Sequence, residues 1–176
     1  MKRLSIIILL SFLLGACNDQ TKSIELTDNT EVKLQAESMA QLLLKSDFKS
    51  FSKFTHPKVI EMMGGEEKMI ETLESGTKAM AAEGTGFLSI SIGEPSKIIS
   101  INNELQCTLS QTIEMKVPNG KLTVKSTLIA ISTNNGKSWY FIDTSGKNIE
   151  TMQKLLPNLS SDLVISANEK PVFSKD

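Results

Sequence analysis

Histidine, cysteine and the hydrogen-bonding aromatics are nearly missing: among 176 residues there is one His, two Cys, one Trp and one Tyr. A lone His56 cannot build a histidine-rich metal site, and without a free cysteine pair there is no zinc spacing either. An excess of one charge sign is lacking too. With 19 Lys and Arg against 20 Asp and Glu, the chain carries no electrostatic footprint for nucleic acid. No apolar run reaches the roughly twenty residues that a helix needs to cross a bilayer.

The familiar catalytic motifs are absent as well. Gly136-Lys137-Ser138 matches the end of a phosphate loop, but Ile131 stands where its first glycine belongs, and a strand follows where the phosphate would need a helix. Ser50 to Lys53 and Ser75 to Lys78 both satisfy Ser-x-x-Lys, yet the companion elements of that chemistry are missing. Asp143-Thr144-Ser145-Gly146 has one residue too many for an aspartic-protease loop and reads as a strand end with capping groups. No catalytic residue, metal ligand or cofactor is therefore expected.

What is present begins at the N-terminus. Met1-Lys2-Arg3 precedes an apolar run over residues 4–14 broken only by Ser5 and Ser11, then Gly15, Ala16 and Cys17. A basic start, a short apolar stretch and a small-residue cleavage site make a secretory signal. Leu14-Gly15-Ala16-Cys17 resembles the lipobox of bacterial lipoproteins. That resemblance implies cleavage before Cys17, a diacylglyceryl group on its sulfur, acylation of its new amino group, and a membrane as partner. Two or three chains anchor stably where one does so only marginally. An ordinary secreted protein cleaved near Ala16 is the alternative.

Loss of Lys2 and Arg3 with the signal leaves 17 basic residues against 20 acidic, a net charge of about −3. A lipidated Cys17 also leaves Cys107 with no partner for a disulfide. Cys107 falls on the apolar side of a strand pattern, where a free cysteine acts as a small hydrophobe. Asn18 occupies the place where, in enteric lipoproteins, Asp marks inner-membrane retention; the resemblance thus leans towards the outer membrane of the cell envelope.

Residues 1–16 read as the signal, 17–30 as a polar tether, 31–157 as one domain and 158–176 as a C-terminal tail. Val32, Ala36, Met39, Ala40 and Leu43 lie on one helical stripe, with Asp28, Asn29 or Thr30 as its cap. A short helix is expected over residues 47–54, ended by His56-Pro57, and a third from Glu66 to about Gly84. From Phe87 the pattern alternates. Strands are expected over residues 87–92, 98–101, 105–116, 121–132 and 139–143, joined by turns at Asn102-Asn103, Pro118-Asn119-Gly120 and Asn134-Asn135-Gly136. Such short turns join antiparallel neighbours. A last helix spans residues 148–156 before Pro157. Helices first and an antiparallel meander after them make the fold class α+β.

The order of elements, with residues 55–67 running from Thr55-His56-Pro57 through Gly64-Gly65 to Glu66-Glu67, resembles the nuclear transport factor two-like superfamily. Residues 136–143, Gly-Lys-Ser-Trp-Tyr-Phe-Ile-Asp, are similar to the final strand of many members. The likeness covers roughly residues 32–156. It implies N-terminal helices on a curved antiparallel sheet, closed into a cone with an interior cavity and an extended His-Pro segment before the third helix. Members include isomerases, dehydratases, ligand binders and association modules, so the resemblance does not select a function.

Two polar residues break the apolar side of the long strands. Gln111 interrupts Leu105, Cys107, Leu109, Ile113 and Met115, and Ser126 interrupts Leu122, Val124, Leu128 and Ala130. Buried polar groups need partners. They bond each other, backbone or water, or they line a cavity with Trp139, Tyr140 or Asp143 nearby. The first functional expectation is a non-catalytic lipoprotein that binds a small ligand or an envelope protein. The alternatives are a small isomerase- or hydrolase-type enzyme using Asp143 or a Glu as base, and a homodimer formed through the open sheet face.

Overall fold

The structure, a computed structural model, describes residues 27–167 and 169–175. Cys17 and the rest of the signal and lipobox lie outside the described residues. Among the described residues no helix is long and apolar enough to cross a membrane.

Helix α1 (Thr27–Leu44) starts inside the stretch read as tether, so Asp28, Asn29 and Thr30 fall in its first turns. It is held by the buried stripe Val32, Ala36, Met39 and Ala40, and Lys33 pairs with Glu94 on the sheet. Helix α2 (Phe48–Ser52) is capped by Asp47, whose carboxylate accepts the Ser50 N–H at 3.1 Å. The segment after His56 is helical, α3 (Pro57–Met62), and not extended. Pro57 sits at the first helical position, where its missing N–H costs nothing, and His56 Nδ1 accepts the Lys58 N–H. Gly64 and Gly65, at φ 88° and 103°, make the left-handed turn into α4 (Glu66–Ala82).

The sheet is antiparallel and open. Strands β1 (Gly86–Pro95) and β2 (Ile99–Ile101) share one edge of β3 (Glu104–Val117), which pairs along its length with β4 (Gly120–Ser132). On the other edge of β4 lie β5 (Tyr140–Asp143), at residues 128–131, and β6 (Val172–Lys175), at residues 120–123. The turns carry the expected chemistry: Asn102 and Asn103 both have positive φ, as a two-residue hairpin turn of the primed kind needs. Pro118 is followed by Asn119 at φ 65°, the signature of a type II turn. β6 was not foreseen. Gly120 admits it, because a Cβ there would lie 2.2 Å from the Ser174 carbonyl oxygen.

Each face of the sheet is covered. On the helix-bearing face Cys107, Leu109, Leu128, Ala130, Trp139 and Phe141 meet Val32, Ala36 and Met39 of α1. Burial pushes the Cys107 thiol up to about 12, so it stays protonated and unreactive at neutral pH. On the back face Ile129, Ile131 and Ile142 meet Met152 of α5 (Ile149–Leu155) together with Leu156, Leu159 and Leu163. Both cores fall within residues 32–163, so the part of the chain from Thr27 onwards carries its own core.

Residues 158–166, read from the sequence as tail, are therefore part of the fold. Gln106, whose side of β3 reads as the outward one, is fully buried beneath them. Its amide N–H donates to the Asn158 carbonyl at 3.1 Å, and its Oε1 accepts the Ser160 N–H at 2.9 Å. Thr108 Oγ1 donates to the Val164 carbonyl at 3.1 Å, and Thr127 Oγ1 accepts the Ser166 N–H at 3.2 Å. Buried backbone without a strand partner is satisfied here by side chains of the sheet.

Candidate functional site

The helices do not fill the space they enclose. A hollow of about 640 Å³, partly open to solvent, lies between them and the sheet, within the usual size range of ligand pockets. Met39 and Leu43 come from α1; Val59, Met62 and Met63 from α3 and its end; Met69 and Leu73 from α4. Ile113, Leu128, Phe141 and Ile142 form the sheet wall, and Met152 and Leu155 of α5 add to the lining. Five of the eight methionines are on this lining. Unbranched thioether side chains adapt to irregular contents more readily than branched ones.

One end is polar. The β3–β4 register sets Gln111 opposite Ser126, and the β4–β5 register sets Asp143 opposite Leu128. Alternation then brings all three side chains to the helix-bearing face. Gln111 Nε2 donates to Asp143 Oδ2 at 2.9 Å and to Ser126 Oγ at 3.2 Å, while Ser126 Oγ–H donates to the same Oδ2 at 2.9 Å. Asp143 Oδ1 accepts the Ser145 N–H at 2.5 Å. Gln111 is buried, at 5% exposure, whereas Asp143, Ser145 and Lys147 are exposed and form the mouth.

Ser126 opens on a second, polar hollow of about 290 Å³ beside the first. It lies at the outer edge of β4 between its pairings with β5 and β6, and Gln111 reaches both spaces.

Trp139 and Tyr140 do not join this group. Trp139 shares the face but precedes β5, four residues from Asp143, which is about 13 Å along an extended chain. Its indole is buried in the first core and donates to the Gly136 carbonyl at 3.1 Å. Tyr140 is offset by one residue and so points to the other face, with its ring edge-on to His56 at 6.0 Å between centroids. His56 itself is half-buried, and burial holds its pKa below the ordinary histidine value. Ser145, Lys147 and the methionines are among the lining residues that the sequence did not single out. Their signal was weak, since a methionine at helical spacing reads as ordinary core and Ser145 as a cap.

Among the described residues no three His, Cys, Asp or Glu side chains are grouped so as to hold a metal. No protein-family model matches the chain, and no curated protein matches it in sequence.

Proposed function

We propose that this chain is a lipid-anchored protein of the bacterial envelope whose domain binds a ligand in the helix–sheet cavity without transforming it. The observation that carries the binding half is the hollow itself, mostly apolar in its lining and bordered by the hydrogen-bonded Gln111–Asp143 pair. Helices on one side of an antiparallel sheet with a cavity between them also support the cone-like, nuclear transport factor two-like architecture. The anchoring half rests on Leu14-Gly15-Ala16-Cys17, and Asn18 after the cysteine supports the outer membrane over the inner.

The enzymatic alternative uses Asp143 or a Glu as its base, and Asp143 is the carboxylate among the residues that line the hollow. Both carboxylate oxygens already accept, two donors on Oδ2 and one on Oδ1, so the side chain is held by its neighbours. The geometry suits a fixed acceptor that shapes a site better than a group that shuttles protons.

Metabolic labelling with an alkyne analogue of palmitate tests the anchor. The wild-type chain is expected to take the label and to fractionate with membranes, and Cys17→Ser to lose both. An unlabelled, membrane-free wild type would sink the proposal.

A further inference from the structure

We propose that this chain pairs with a second copy of itself through the outer edge of β1, in a two-fold dimer that joins the two sheets into one. The inference is independent of what the hollow binds. Helices, α5 and residues 156–163 cover the two faces of the sheet, so a further strand can be added only at an edge.

β1 ends the sheet, and among the described residues its outer edge pairs with nothing. Edge strands are ordinarily guarded against pairing by charge, proline or bulges. β1 carries no charged residue before Glu94 and no proline before Pro95, its last position. Its two irregularities, at Phe87/Ser89 and Ile92/Pro95, leave the stretch from Ser89 to Ile92 in unbroken register with β3. Large apolar side chains stand exposed beside that stretch: Leu88 at 52% and Leu34 of α1 at 53%.

The stretch complements itself. Set antiparallel to a second copy about Ile90, it brings Ile90 opposite Ile90 and Ser89 opposite Ser91, with Leu88 level with Ile92. None of these pairs sets like charges against each other.

Helix α1 supplies a second match at the same centre. It and the β1 edge border a groove of about 690 Å³ whose helical side includes Leu34, Glu37, Gln41 and Lys45, all exposed. Glu37, Gln41 and Lys45 are four residues apart and so share one helix face. The Lys33–Glu94 pair fixes the level of the helix on the strand. From Lys33 the helix climbs about 12 Å to Gln41, and from Glu94 the strand runs back about 13 Å to Ile90. A two-fold axis through Ile90 therefore also passes Gln41. It sets Glu37 of each copy level with Lys45 of the other, twice over. This reciprocal charge match selects a second copy over an unrelated strand.

Sedimentation velocity tests this on the chain from Asn18 to Asp176 made without the signal, which retains both cores. A reversible species of twice the monomer mass, growing with concentration, is expected. Ser91→Lys, at an exposed position, should abolish it, because edge lysines block strand pairing and the two ammonium groups would lie diagonally across the axis. Glu37→Lys should weaken it about tenfold, by replacing two ion pairs with like-charge neighbours. Adding Lys45→Glu to that variant should restore it, since the pairs are then merely exchanged. Unchanged circular dichroism spectra show that the variants fold. In membranes, the lipidated chain carrying Gln41→Cys should be joined to a second copy by a short bis-maleimide, which reads the interface without a change of charge.

A wild type that stays monomeric up to about 0.1 mM would overturn the proposal. So would a dimer indifferent to Ser91→Lys, or one that the charge exchange fails to restore, because the interface would then lie elsewhere.

Discussion

The two faces of the sheet are built from similar residues and closed in opposite ways. The back face is sealed by α5 and residues 156–163, with Gln106, Thr108 and Thr127 fastening the covering backbone. The helix-bearing face is covered by four helices that leave a hollow of about 640 Å³, whose lining extends to Ile142, Met152 and Leu155 at the border with the back side. Tight closure there uses polar side chains bonded to backbone; loose closure here uses methionines, with the Gln111 amide nitrogen bonded to Asp143 and Ser126.

Equal truncations on the two faces should differ in cost. Ile129→Ala on the back face is expected to destabilise the domain by about 4 kcal/mol in urea unfolding, because its surroundings cannot collapse into the void. Met69→Ala should cost only about 2 kcal/mol, since its side chain already borders empty space and neighbouring methionines can move in. Equal losses would break the comparison.

The polar groups sharpen it further. Gln106→Leu strands the Asn158 carbonyl and the buried Ser160 N–H, at about 3 kcal/mol in the same assay. If this variant instead unfolds like the wild type, residues 158–166 are not held by their side-chain partners.

The smallest effect concerns His56, at the margin of both faces. Its folded pKa lies below the unfolded value because burial disfavours the charged ring. The unfolded chain therefore binds more protons between the two values, and stability is complete above about pH 6.5 and falls as pH drops below it. Protonation also removes Nδ1 as acceptor for the Lys58 N–H. The loss is expected to be about 1 kcal/mol, the worth of a helix cap. His56→Asn, which keeps an acceptor at the cap, should flatten the profile between pH 5 and 7 in thermal unfolding. A wild-type profile already flat there would show that the ring's burial does not couple to stability.

The strands and turns were legible because alternation and Asn, Pro and Gly chemistry are local. Gln111 and Ser126 stood out for the same reason, as polar breaks in apolar rows. Asp143 could be named as near, but its hydrogen bonds depend on the registers of three strands together. The step from Asp143 back to Trp139 and Tyr140 failed on distance for one and on face for the other.

Gln106 and Thr108 were the harder case. An outward polar side and a side buried under a covering segment look identical in sequence, and residues 158–166 have no periodicity to announce that they cover anything. The helix at Pro57 was hidden differently: a histidine before proline reads as a break, and here the break is also a start.

The order in which the back face is completed gives the molecule a timetable. Ile129, Ile131 and Ile142 are made well before Leu156, Leu159 and Leu163, which cover them. A chain emerging N-terminus first therefore presents an uncovered strand face, with Gln106 lacking its Asn158 and Ser160 partners, for as long as it takes residues 156–166 to appear. Until then the sheet has one wall and no lock. Synthesis or transit interrupted near residue 150 would release a sticky sheet and not a smaller folded protein.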